Sequence, residues 1–181
     1  HPCHRQGDAA FELSSQRHIE RRAHAARLSV AFLTRDADHR IGPKDKAMSH
    51  LLAYLTVLIS FGIFEAIWLS QMAIALYRPI LGDMMIEQVR IIPAAVFYLS
   101  FPIGLVVFAV MPALRDESVW AAFGSGMLLG ALCYATYDLT NYATLKTWTL
   151  QVTLIDIAYG AIVSATCSSL AYWVVQAYAA R

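Results

Sequence analysis

Charged side chains are scarce in this chain. They make up 15% of its 181 residues, against roughly 25% in an ordinary soluble domain. Hydrophobic residues account for 58%, and the mean hydropathy is +0.50. The formal net charge is only +1, and the basic residues before Met48 are interleaved with acids, so they form no patch for nucleic acid. This balance argues against a soluble domain and a nucleic-acid partner, and the lipid bilayer becomes the expected surroundings.

Cysteine is equally sparse. Cys3, Cys133 and Cys167 are an odd and widely separated set, which gives no disulfide framework. Residues 1–4 contain one cysteine and two histidines, but they lack the second ligand pair of a zinc site. The chain also has no Walker loop, HExxH string or dinucleotide fingerprint. We therefore expect neither a metal site nor a cofactor.

Methionine is absent before Met48, which directly precedes the first long apolar run. We therefore interpret residues 1–47 as a poorly ordered or spurious N-terminal extension and residues 48–181 as the folded domain. The alternative is a cytoplasmic extension with a weak Arg-rich helix over residues 19–32 at the headgroup level. The charged stretch 34–46, with its glycine-proline turn signal, is typical of a flexible linker.

Four long apolar runs follow, and each has the length of about 20 residues that a helix needs to cross the hydrocarbon core. Proline and charged residues separate the runs, with Arg78-Pro79 after the first and Pro112 after the second. Short connections force neighbouring helices to be antiparallel. The sequence therefore predicts an all-α polytopic membrane protein, an up-down-up-down four-helix transmembrane bundle. The predicted spans are about 51–77, 91–111, 119–142 and 152–177.

Local signals add detail to these helices. Pro102 lies inside the second span and is expected to kink it, whereas Ser118 is a suitable N-cap for the third span. The GxxxG pattern of Gly126 and Gly130 predicts close packing of the third helix against another helix. Aromatic residues near the span ends fit a belt at the membrane interface: Trp120, Trp148, Trp173 and Tyr178.

Three acids lie inside the apolar runs, namely Glu65, Asp138 and Asp156. A charged side chain at the centre of a membrane helix costs roughly 2.5–3.5 kcal/mol on insertion scales, so each acid should have a partner, a water path or a function. The antiparallel topology puts all three in the same half of the bundle. The sequence therefore predicts that they converge.

Aromatic, hydroxyl and amide groups accompany these acids. Trp68 follows Glu65, and Tyr159 follows Asp156, at a spacing of about one helical turn, so each acid shares a face with a ring. Residues near Asp138 in the sequence carry hydroxyl and amide groups. The sequence thus predicts a polar pocket walled by aromatics, with these ligand-binding residues: Glu65, Trp68, Tyr98, Tyr134, Tyr137, Asp138, Asn141, Asp156 and Tyr159.

A structural role for the acids is the alternative interpretation. Bonded to tyrosines or to basic residues, they would only fix the register of the helices. The candidate charge partners are Arg78, Arg90 and Lys146.

Two intramembrane aspartates also invite comparison with aspartic proteases, in which two like charges share one proton. Tyr137-Asp138 matches the first half of the intramembrane aspartyl protease signature. The residues that lead up to Asp156 do not match the second half, which is Gly-x-Gly-Asp. Protease activity is therefore disfavoured.

Six short strings in the core resemble domain-of-unknown-function family 2177, small predicted membrane proteins of bacteria: residues 64–69, 77–82, 95–98, 134–141, 143–146 and 152–156. The resemblance covers about residues 49–177, and its most specific part is 137–146. The family's usual first-span acid is Asp and its fourth-span aromatic is often Trp, where this chain has Glu65 and Tyr159. The resemblance implies a four-span protein of the bacterial inner membrane with no assigned activity.

Three functions remain open. The first is a membrane-embedded module, expected to be a homo-oligomer, that binds or translocates a cation, a proton or a small polar ligand at the acids. The second is a lipid-modifying enzyme with one acid as general base. No nucleophile and base pair stands out, so an enzyme is the less favoured interpretation. The third is a structural partner of another membrane protein, with the glycines of the third span as its contact face.

The distribution of basic residues bears on orientation. The loops on the two sides carry nearly equal numbers of Lys and Arg. Arg40, Lys44 and Lys46 tip the balance, and the excess of positive charge favours N- and C-termini in the cytoplasm.

Overall fold

The computed structural model describes residues 43–82 and 88–180, with side chains from residue 46 onward. All regular structure within these residues is helical. Each of the four long helices is apolar enough to cross a membrane, which confirms the predicted all-α transmembrane bundle. They are α1 (Pro43–Met72, Ala73–Tyr77 and Arg78–Leu81), α2 (Ile91–Leu105, Val106–Val110 and Met111–Arg115), α3 (Val119–Thr144) and α4 (Leu150–Ala179).

Helix α1 begins at Pro43, inside the stretch 34–46 that the sequence predicts as a linker. Proline is favoured in the first turn of a helix, where its missing N–H removes no hydrogen bond, so Pro43 starts a helix here. The rest of the predicted extension, residues 1–42, lies outside the described residues. The four helices pack together in the compact unit Lys46–Arg181.

Two prolines that the sequence places at the ends of spans lie instead within the last turns of α1 and α2. Before each of them the helix widens into a π turn, Ala73–Tyr77 ahead of Pro79 and Val106–Val110 ahead of Pro112. In both turns the N–H of the residue before the proline bonds to the carbonyl five residues back. The wider turn leaves room for the proline ring, which in a regular α-helix clashes with the carbonyl four residues back. Both helices therefore continue beyond their predicted ends, and Pro102 lies within a continuous α-helical stretch.

The helix ends follow ordinary capping chemistry. Gly82 ends α1 with a φ of +47°, a conformation that glycine adopts without a steric penalty. The Ala121 N–H donates to Ser118 Oγ at 3.3 Å, which confirms the predicted N-cap of α3. Thr149 caps α4 in the same way through the Val152 N–H.

The closest packing joins α3 to α4 along one stripe of each helix, a contact called here the α3–α4 seam. On α3 the stripe is Gly126, Gly130, Tyr134 and Asp138, and on α4 it is Asp156, Gly160, Ser164 and Ser168. A Cβ atom at Gly126 would lie 2.6 Å from Ser168 Oγ, and one at Gly130 would overlap the Gly160 carbonyl oxygen. The predicted close packing at the GxxxG pattern is confirmed, and the helix packed against it is α4 of the same chain.

Three apolar clusters fill the interior of the described bundle, and one of them consists of Ala113, Ala122 and Tyr172, where α2, α3 and α4 meet. The large apolar cluster draws on α1, α2 and α4 and includes the fully buried Phe61, Leu105 and Val110. The small apolar cluster is formed by Leu76, Trp148 and Val152, where α1 ends and α4 begins.

The predicted aromatic belt holds only in part. Trp120, Trp173 and Tyr178 are exposed on the described surface, as residues at a membrane interface should be. Trp148 is buried instead, because the α3–α4 connection folds its ring inward onto Leu76 and Val152.

Candidate functional site

The three intramembrane acids are all buried in the bundle. Glu65 on α1 and Asp156 on α4 are 6% exposed, and Asp138 on α3 is 0% exposed. Their charges are close enough to interact in pairs, Glu65 with Asp156 and Asp156 with Asp138. The acids therefore form a row through the bundle, with Asp156 in the middle.

Glu65 is held by tyrosine hydroxyls from two other helices. Tyr134 Oη on α3 donates to Glu65 Oε1 at 2.7 Å, and Tyr98 Oη on α2 donates to Oε2 at 3.3 Å. The hydroxyl of Tyr159 on α4 also faces Glu65, but it makes no hydrogen bond of standard geometry to any described residue. Both carboxylate oxygens thus have a donor, and the bonds tie α1 to α2 and α3 at this depth.

Asp156 belongs to a second set of contacts. Tyr77 Oη donates to Asp156 Oδ1 at 2.6 Å and accepts a hydrogen bond from Trp68 Nε1 at 3.2 Å. The Trp68 indole stacks on the Tyr159 ring with the ring centroids 3.8 Å apart. Since Tyr159 faces Glu65, aromatic side chains of α1 and α4 connect the surroundings of the two acids.

Tyr77 is the residue of this site that the sequence did not predict. It lies nine positions after Trp68, which in a regular α-helix is about 2.5 turns and puts the two side chains on opposite faces. The π turn Ala73–Tyr77 rotates Tyr77 back toward Trp68. The hint of this rotation in the sequence is Pro79, a proline that comes after the apolar run and yet lies within the helix.

Asp138 differs from the other two acids. Neither of its carboxylate oxygens has a hydrogen-bond partner among the residues that the structure describes. A buried charge without a partner is far more costly than a bonded one, and the neighbouring Asp156 adds repulsion. Asp138 is therefore the least compensated group in the described bundle.

The predicted charge partners lie apart from the acids. Arg78, Arg90 and Lys146 are all exposed. Within residues 43–82 and 88–180, no lysine or arginine pairs with any of the three carboxylates. Of the two kinds of partner that the sequence interpretation allowed, tyrosine hydroxyls bond to Glu65 and Asp156 in this part of the chain, and basic side chains do not.

Two of the predicted ligands also lie outside the row of acids. Tyr137 is exposed and contacts the Trp148 ring edge-on, with the ring centroids 5.5 Å apart. No hydrogen bond joins Asn141 to an acid in the described bundle. Tyr137 directly precedes Asp138, and consecutive residues of a helix point about 100° apart, so Tyr137 does not lie on the face of α3 that carries Asp138. The structure thus brings together Glu65, Trp68, Tyr98, Tyr134, Asp138, Asp156 and Tyr159.

Fold and site together define a four-span membrane protein with a buried row of acids. The chain belongs to domain-of-unknown-function family 2177, described as predicted membrane protein, whose sequence pattern matches residues 50–173. This confirms the resemblance of the core strings, and the matched region reaches into all four helices. No curated protein and no solved structure matches the chain. Among the described residues there is no group of three His, Cys, Asp or Glu side chains arranged to hold a metal ion.

Proposed function

We propose that this membrane protein binds a proton inside its bundle, shared between Asp138 and Asp156, with Glu65 as a deeper second carboxyl. The observation that carries the proposal is Asp138, which is fully buried with both oxygens unpaired beside a second carboxyl group. Two like charges in a low-dielectric site are accommodated when one proton is held between them.

The hydrogen bonds suggest how the proton is distributed. Asp156 Oδ1 accepts the Tyr77 hydroxyl at 2.6 Å, and such a bond stabilises the charged form of a carboxyl group. Asp138 receives no donor from the described residues, so a bound proton is the way to remove its charge. In this assignment Asp138 carries the proton and Asp156 carries the charge.

A proton fits this site better than the other ligands that the sequence left open. The oxygens of Glu65 already accept Tyr134 and Tyr98, so a larger cation or polar ligand would have to displace these hydroxyls. A proton needs no cavity. It adds directly to a carboxyl group, and buried acids facing the interior of a membrane bundle are characteristic of proton relays.

Infrared difference spectroscopy of the full chain in lipid nanodiscs tests the proposal. We expect a carbonyl band from a protonated carboxyl group that titrates while the protein stays folded. Asp138→Asn and Asp156→Asn should each remove or shift this band, whereas Asp116→Asn, in an exposed loop, should leave it unchanged. A band that is absent at every pH at which the bundle is folded, or that persists unaltered in Asp138→Asn, would contradict proton binding at this pair.

The proposal also covers the orientation of the protein and the membrane in which it lies. We place the protein in the inner membrane of a bacterium with both termini in the cytoplasm, supported by Arg40, Lys44 and Lys46 near the start of α1. Green fluorescent protein joined after the last residue should then fluoresce in cells, because it matures in the cytoplasm. An exported alkaline phosphatase joined at the same point should be inactive. The opposite pair of results would reverse the orientation.

A further inference from the structure

One of the four tryptophans of this chain is buried at the end of a span. Trp148, in the connection 145–149 between α3 and α4, is 6% exposed, whereas Trp120 and Trp173 are 79% and 60% exposed. A tryptophan near the membrane surface ordinarily turns its ring toward the headgroups. The inward position of Trp148 therefore points to a different role.

Trp148 lies beyond Asp138 and Asp156, toward the end of the bundle. It packs with Leu76 and Val152 in the small apolar cluster. Val152 precedes Asp156 by one helical turn on the same face of α4, so this cluster stands between the aspartates and the membrane face at which α4 begins.

At the other end of the bundle, a thicker layer of apolar side chains covers the acids. The large apolar cluster starts at Phe61, one turn from Glu65, and on α1 it continues through Val57 to Ala53. These three side chains are fully buried, as is Val110 of α2 in the same cluster. Along α1, a proton that approached the acids from this end would have to cross several turns of apolar side chains. Along α4, the buried hydroxyls of Ser164 and Ser168 lie in the closely packed α3–α4 seam against Gly130 and Gly126.

We propose that Asp138 and Asp156 exchange protons with one membrane face only, the face at which α1 ends and α4 begins, and that Trp148 closes this route. The inference rests on the proposed proton binding. It adds the side from which the site is reached and the residue that controls access.

Besides its packing against Leu76 and Val152, two weak contacts hold the ring of Trp148 in place. Its Nε1 donates to Thr153 Oγ1 at 3.2 Å, and Tyr137 touches its ring edge-on. The connection that carries Trp148 is not helical, so the ring can swing outward without the loss of a helical hydrogen bond. Movements of this kind, in a short loop over a site, commonly control access to it.

The titratable groups around the pair come from several helices. Tyr77 and Glu65 of α1 face Asp156, and the charge of Asp138 also reaches Tyr77. Helix α2 joins this network through the bond from Tyr98 to Glu65. Glu65 is thus a third carboxyl group that interacts with the pair and responds to its protonation.

A pH jump followed by time-resolved infrared spectroscopy measures how fast protons reach the pair in the full chain in nanodiscs. Trp148→Ala should speed the change of the carboxyl band by about tenfold or more, because the ring that covers the route is gone. Thr153→Val removes the acceptor that holds the indole and should speed the change by about threefold. If Trp148→Ala does not fold, the exchange rate of Thr153→Val tests the proposal.

Two control variants separate this route from its alternatives. Trp120→Ala removes an exposed tryptophan, and Val110→Ala loosens the large apolar cluster at the other end; both should exchange at the wild-type rate. Faster exchange in Val110→Ala with no acceleration in the Trp148 and Thr153 variants would overturn the route. A titrating band with unchanged rates in the Trp148 and Thr153 variants would overturn it too, while leaving proton binding intact. The absence of any titrating band in the wild type would remove the proposed function itself.

Discussion

Replacing Asp138 by asparagine is expected to leave the bundle folded and to raise its free energy of unfolding by about 1–3 kcal/mol. The carboxyl group is fully buried, and without its proton it has no donor in the described structure and is repelled by Asp156. Holding the proton at neutral pH costs free energy as well, because the unfolded chain releases it. Asparagine has nearly the same shape and no charge. Substitutions at buried positions usually destabilise, so a gain would be specific to an uncompensated acid. Unfolding by SDS in mixed micelles, followed by circular dichroism, measures it.

The same substitution at Asp156 is the matched control. Asp156 accepts a hydrogen bond of 2.6 Å from Tyr77, and a bond to a charged acceptor is stronger than one to a neutral amide. Asp156→Asn is therefore expected to lower the free energy of unfolding by about 1 kcal/mol. If Asp138→Asn misfolds or loses stability to the same extent, Asp138 serves to fix helix register and the structural interpretation is correct.

Gly130→Ala is expected to lower the free energy of unfolding by about 3 kcal/mol. The added Cβ would overlap the carbonyl oxygen of Gly160 and the side chain of Ser164. A backbone carbonyl in a helix cannot rotate away as the end of a flexible side chain can, so α3 and α4 would have to move apart. The same SDS titration measures the loss.

Gly124 on the same helix provides the control for this substitution, because nothing lies within 4 Å of a Cβ added there. Gly124→Ala should change the free energy of unfolding by less than about 1 kcal/mol, in the direction of greater stability, since alanine is the better helix former. Equal losses at Gly124 and Gly130 would contradict the α3–α4 seam.

The number and type of helices could be predicted from the sequence, because the length of an apolar run decides whether it can cross a bilayer. The helix ends were harder to predict. Pro79 and Pro112 are strong breakers in a regular α-helix, and the π turns that accommodate them depend on hydrogen bonds that have no simple pattern in the sequence. Tyr77 was missed for the same reason, since its face depends on one of these turns.

The acids could be found from the sequence because charged residues are conspicuous in apolar runs. Their partners could be predicted only in part. Tyrosines and basic residues were both predicted as partners, and Glu65 is bonded to Tyr98 and Tyr134, because long basic side chains near helix ends can reach water while tyrosines deeper in the bundle face inward. The inward turn of Trp148 was equally hidden, since it depends on the path of a five-residue connection.

The α3–α4 seam could be predicted from the sequence only in part. The GxxxG pattern predicts a close approach but does not name the partner helix. The partner helix could have been recognised by comparing the residues at every fourth position of the two helices. Read in opposite directions, the two stripes put the glycines of α3 opposite serines, Tyr134 opposite Gly160 and Asp138 opposite Asp156, as an antiparallel pair requires.

The depth of Glu65 has an electrical consequence. The Trp68 ring stacks on Tyr159, so these two residues lie at the same level of the bundle. Glu65 lies three residues deeper than Trp68, and Asp156 lies three residues less deep than Tyr159, so at a rise of about 1.5 Å per residue Glu65 is about 9 Å deeper than Asp156. Carrying one charge across the whole membrane is worth about 2.3 kcal/mol per 100 mV, and the step from Asp156 to Glu65 covers part of that path. On the proposed function, the membrane voltage as well as the pH at the surface determines which of these carboxyl groups holds the proton.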